Sequence, residues 1–74
     1  MTEMELGKTL REMYDNAPEG YQVAGIRLFG VKYASIILEN NFEAIDIVRA
    51  SGINQSYANE VSKGVKLSRY VISR

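Results

Sequence analysis

The side chains of this sequence best suited to chemistry are amides and a hydroxyl followed by cations: Asn54, Gln55, Ser56 and Asn59, then Lys63, Lys66 and Arg69. A carboxamide presents a donor and an acceptor side by side, which matches the N6 and N7 edge of adenine. A serine hydroxyl reaches either a base edge or a phosphate, and Glu60, in the same stretch, can accept from cytosine N4. The lysines and the arginine neutralise phosphates. Taken singly, each position has a plainer reading. A small domain must expose polar residues somewhere, and Asn, Gln and Ser near a helix start also cap it. Taken together, with Glu60 the last acidic residue of the chain, they make double-stranded DNA the expected partner.

Other chemistries fit less well. The chain has no cysteine and no histidine. A disulfide framework is ruled out, and a zinc site would need carboxylates alone. General acid–base work would fall to Glu, Asp, Lys or Tyr. Gly7-Lys8-Thr9 has the ending of a phosphate-binding loop but lacks the upstream glycine and strand. The acidic pairs Glu3/Glu5 and Glu43/Asp46 read as helix N-terminal charges that favour the dipole. Tyr14, Tyr21, Tyr33, Tyr57 and Tyr70 show no basic interleaving and read as amphipathic residues at the edge of a core. The expectation is a chain that is not an enzyme and uses no metal and no cofactor.

The 74 residues make one domain, 1–74, whose thin core implies a stability of a few kcal/mol at most unless the chain oligomerises. Nine basic side chains balance nine acidic ones, but unevenly. Glu3, Glu5, Glu12, Asp15 and Glu19 make the front acidic, and Lys63, Lys66, Arg69 and Arg74 make the end basic. No run approaches the ~20 apolar residues of a membrane span. The start, Met-Thr-Glu-Met-Glu, leads into no apolar signal core. A cytoplasmic location without membrane contact is expected.

The elements that must position these side chains read as all-α, about five short helices in one compact domain. Leu6, Leu10, Met13 and Tyr14 form one stripe on a helix from Met4 to about Asn16, and Thr2 with Glu5 resembles a capping box. Lys8 is spaced to pair with Glu5 and Glu12. Pro18 suits the first turn of a second helix, about Glu19 to Phe29, with Gly30 closing it in a left-handed conformation. That helix, apolar round more than half its circumference, should be the most buried, and Gly25 within it implies close packing. A third helix spans about Lys32 to Asn40. Its Ile36-Ile37 pair also suits a strand, but the flanking spacing favours helix. Asn40 and Asn41 end it, and Asn40 with Glu43 is again cap-like. A fourth helix covers about Glu43 to Ser51 and a fifth about Gln55 to Gly64. Val65 to Arg74 is open between an extended segment, a short strand and a helical turn.

The last two helices, separated by Gly52-Ile53-Asn54, have the layout of a helix-turn-helix unit over about 44–63. Here the sequence resembles the phage repressor and Cro-type regulators. Gly52 stands where that family needs a positive φ, Ile53 stands where it plugs the gap between the helices, and Ile47 and Val61 match its apolar positions. Three residues depart from the pattern: Val48 replaces a preferred alanine, Ser51 an apolar residue, and Ala58 a larger aliphatic. Val48 and Ala58 could compensate for each other in volume. Over a longer span, Leu28 to Ala34, Ser56-Tyr57 and Lys66 to Val71 look like a group of small bacterial helix-turn-helix-like proteins. The resemblance implies a transcriptional regulator that reads duplex DNA with a recognition helix at about 55–64, working as a homodimer because one short helix rarely supplies enough specificity. The alternative is a protein-interaction or dimerisation domain that keeps the fold without DNA. Zero net charge and the three departures favour it.

Overall fold

The computed structural model describes residues 1–70. Helix α1 (Glu3–Asn16) begins on the expected capping box: Thr2 Oγ1 accepts from the Glu5 N–H at 3.1 Å, and the Glu5 carboxylate accepts from the Thr2 N–H at 2.9 Å. The bond from the Thr2 backbone holds the Glu5 carboxyl below its ordinary pKa. Leu6 and Leu10 are fully buried, and Met13 and Tyr14 pack against the same core. The Lys8 pairs do not form among the described residues. Glu5 is committed to the cap, and Arg11 pairs with Asp15 at 3.0 Å.

Helix α2 (Gln22–Lys32) is shifted three residues from the expected span. Pro18 lies outside it, in a turn closed by the Tyr21 N–H on the Pro18 carbonyl at 2.9 Å. Gly20, at φ 86°, keeps the helix from starting earlier. The helix then runs through Gly30, which is buried and helical and not a left-handed cap. Nor is α2 the most buried helix. Ile26, Phe29 and Gly30 face inward, while Val23 and Leu28 are 39% and 54% exposed. A domain this small covers α2 on one side only.

Helix α3 (Ala34–Glu39) is shorter than expected and ends in a Schellman motif. Asn41 takes φ 54°, the Phe42 N–H bonds the Ile37 carbonyl at 3.0 Å, and the Asn41 N–H bonds the Leu38 carbonyl at 3.2 Å. Asparagine is among the few residues that tolerate this conformation. The Asn40–Glu43 cap is not made. Asn40 donates back to the Ile36 carbonyl at 2.8 Å, and Glu43 sits at the N-cap of α4 without a side-chain bond.

Helix α4 (Ala44–Ser51) closes on Gly52 at φ 78°. The expected fifth helix has two parts, a 3-10 turn at Gln55–Tyr57 and helix α5 (Ala58–Leu67). Val65 to Leu67 are thus helical. Ser68 to Tyr70 continue in turns, with the Tyr70 N–H on the Leu67 carbonyl at 2.9 Å, and 71–74 lie outside the described residues.

Every helix contributes to one core: Leu6 and Leu10, Ile26 and Phe29, Ile37, Ile47 and Val48, Val61, with Ile53 from the turn. The packing is chiefly α1 on α4 and α2 on α5, with less between α4 and α5 themselves. Glycine sits at both crossings. A Cβ at Gly7 would come within 2.6 Å of Ala50 Cβ, and one at Gly30 within 2.5 Å of the Val61 carbonyl oxygen. A Cβ at Gly64 would overlap the Arg27 carbonyl. Gly25, expected at such a contact, has its nearest neighbour 3.8 Å from a built Cβ, which is ordinary packing. The radius of gyration is 10.9 Å, close to the ~11 Å of a folded chain this long.

Candidate nucleic-acid interface

The turn between α4 and α5 is built as the sequence implies. Gly52 is left-handed, Ile53 is buried, and Ile47 and Val61 are fully buried. Ser51, a departure from the family pattern, is buried because its hydroxyl serves the turn. Ser51 Oγ donates to the Val48 carbonyl and accepts the Ile53 N–H at 3.2 Å. A polar group at that depth is tolerated when both its bonds are satisfied. Val48 is fully buried, and the small Ala58 packs against the same core.

Asn54, Gln55, Ser56, Asn59, Lys63, Lys66 and Arg69 are all exposed. They do not form one cluster. Asn54 Oδ1 accepts the Ser56 N–H at 2.9 Å, so Asn54 caps the 3-10 turn, as the plainer reading allows. Gln55 and Ser56 stand on that turn, at the helix start. Asn59, Lys63 and Lys66 follow at intervals of four and three residues, which places them on one outward stripe of α5. From Asn59 to Lys66 the stripe is ~10 Å long at ~1.5 Å per residue. Lys66 and Arg69 border a hollow whose other wall includes Phe42 and Glu43.

Glu60 departs from its expected outward position. Its side chain is only 17% exposed and bonds two cations: Oε2 accepts from Arg27 Nε at 2.5 Å, and Oε1 lies 3.3 Å from Lys63 Nζ. The hydrogen bond from Arg27 holds the Glu60 carboxyl below its ordinary value, against partial burial, and Lys63 adds to it. Arg27 is therefore a member of the site that sequence reasoning missed. It comes from α2, and no local spacing announces a partner thirty-three residues away. Its signal was the one charge within the otherwise uncharged run from Gly20 to Val31. Arg27, Lys63, Lys66, Leu67 and Tyr70 line a second hollow. Along this end of α5 the described cations Arg27, Lys63, Lys66 and Arg69 face the carboxylates Glu60 and Glu43. The surface is basic although the whole chain is neutral.

Tyr14, Tyr33 and Tyr57 lie at the core edge as expected, and Tyr14 and Tyr57 pack with their rings tilted by 52° and 5.7 Å between centroids. Tyr70, at 85% exposed, is on the surface beside the cations. None of the described helices is long and apolar enough to cross a membrane.

Comparison with curated proteins and with solved structures finds no match. The family model of the HTH-like domain matches residues 2–74, nearly the whole chain. With its left-handed Gly52, its buried Ile53 and its helix order α1 to α5, the chain belongs to the HTH-like domain family.

Proposed function

We propose that this protein is a non-enzymatic, cytoplasmic module that binds double-stranded DNA in a sequence-specific way, as a bacterial transcriptional regulator of the phage repressor and Cro-type does. The observation that carries the reading is the outward stripe of α5. Asn59 precedes Lys63 and Lys66 on a helix set by a helix-turn-helix turn, Ser56 stands on the 3-10 turn before it, and Arg27 and Arg69 flank it. Amides at the start of such a helix meet base edges, and the cations that follow meet phosphates. One helix of this length gives limited discrimination, so a homodimer on a two-fold site is part of the proposal.

Selection from a random duplex pool, followed by binding at several salt concentrations, tests it. A preferred sequence should emerge. Asn59→Ala should relax specificity at a base position at a cost of ~1–3 kcal/mol. Lys66→Gln should weaken all sequences alike and reduce the salt slope by ~0.9. Failure to bind any duplex at low salt sinks the reading.

A second reading, a protein-interaction or dimerisation domain, is favoured by a different face. Met13, Ala17, Tyr21, Ala24 and Leu28 line an apolar hollow of about 390 Å³ at the α1–α2 junction. None of its lining comes from α4 or α5. Sedimentation separates the readings. A concentration-dependent oligomer that ignores DNA supports the second, and a monomer that binds DNA removes it.

A further inference from the structure

Glu60 uses its two carboxylate oxygens separately, one on Arg27 Nε and the other toward Lys63 Nζ. A phosphodiester also offers two non-bridging oxygens on one atom, so the arrangement that suits Glu60 suits a phosphate. Beside this pair stands Lys66, which meets no carboxylate within ion-pair distance among the described residues. Arg27 and Lys63 remain 47% and 57% exposed in their side chains, and both line the hollow with Lys66. That hollow measures about 320 Å³, and its remaining lining is Leu67 and Tyr70, apolar surface of the kind a sugar packs against.

We propose that Arg27, Lys63 and Lys66 form a phosphate site for the backbone of duplex DNA, and that the Glu60 carboxylate occupies it as a built-in competitor in the free protein. The inference rests on the DNA reading and extends it to α2, outside the helix-turn-helix. Glu60 lowers the affinity for any duplex by offsetting one of the three positive charges and engaging donors of two of the three cations. A target that also satisfies Asn59 and its neighbours supplies the energy to displace it. Glu60 thus trades general affinity for discrimination. Because Arg27 is held by its Nε, its terminal nitrogens stay available to a second anion.

The test is fluorescence anisotropy with a labelled mixed-sequence DNA duplex between ~50 and ~200 mM salt, for wild type, Glu60→Gln, Arg27→Gln and the double variant, each checked for helical content. Glu60→Gln should bind roughly three- to ten-fold tighter at ~50 mM salt, with a slope steeper by ~0.9 as one more phosphate is neutralised. Arg27→Gln should bind more weakly with a shallower slope, and in the double variant most of the gain from Glu60→Gln should vanish. If Glu60→Gln does not fold, the slope of Arg27→Gln decides alone. Binding that is lost in Lys66→Gln but unchanged in both Arg27→Gln and Glu60→Gln overturns this site and leaves the α5 reading standing. Absence of binding by every variant, Glu60→Gln included, removes both. Tighter binding of an RNA duplex of the same length overturns the assignment to DNA.

Discussion

At Gly64 an added methyl group would meet the Arg27 carbonyl and the Gly30 Cα, main-chain atoms that give way only if the helices separate. Gly64→Ala should therefore destabilise the protein by about 2 kcal/mol, even after the ~1 kcal/mol that alanine gains in a helix. Gly25 is also helical, but nothing crowds it. Gly25→Ala should raise stability by ~0.5–1 kcal/mol. Urea denaturation measures both, and midpoints moving in the same direction would contradict the packing. Glu60 carries a separate test at this scale. Its native pKa is lowered by Arg27, so the unfolded chain binds its proton first as pH falls. The stability it adds is complete above the ordinary carboxylate value of 4.5 and is lost as pH drops through the lowered native value. Thermal melts from neutral to acid pH should show Glu60→Gln losing less stability than wild type over that window. A parallel loss in both proteins would show that the Arg27 contact has no effect on folding.

Among the elements, the turn before α5 is where side-chain and main-chain requirements coincide. Ser51→Ala would leave the Ile53 N–H without its acceptor in a buried setting. A loss of ~1–3 kcal/mol is expected, read from the thermal midpoint, with DNA affinity falling only as far as folding does. This turn was largely legible in the sequence. A glycine needed for φ 78° and an isoleucine needed as a plug are local demands with few solutions. The Thr2–Glu5 cap and the Asn40-Asn41 stop were legible for the same reason. What could not be read was long-range. Gly30 looked like a helix end because a glycine after an apolar run usually is one, and only the crossing with α5 shows why the helix continues through it. Arg27 belongs to the basic surface through a residue on another helix. The exposed stripe of α5 followed from periodicity alone, whereas the pairing of Lys63 and Arg27 with Glu60 needed the fold.

In the whole molecule, the two helices of the helix-turn-helix unit each lean on an earlier helix more than on each other. α1 with α4 makes one half and α2 with α5 the other, and the halves are joined by α1 on α2 more than by α4 on α5. With main chain against main chain at Gly30 and Gly64, no side-chain rotamer separates α2 from α5. Amide hydrogen exchange should report this directly. The protected amides of α5 should open together with those of α2, and those of α4 with α1, if the halves are cooperative units. A shared opening of α4 and α5 that leaves α1 and α2 protected would contradict the division. The glycine crossing thus ties the orientation of α5 to that of α2, so that α5 can change its angle only by carrying α2 with it.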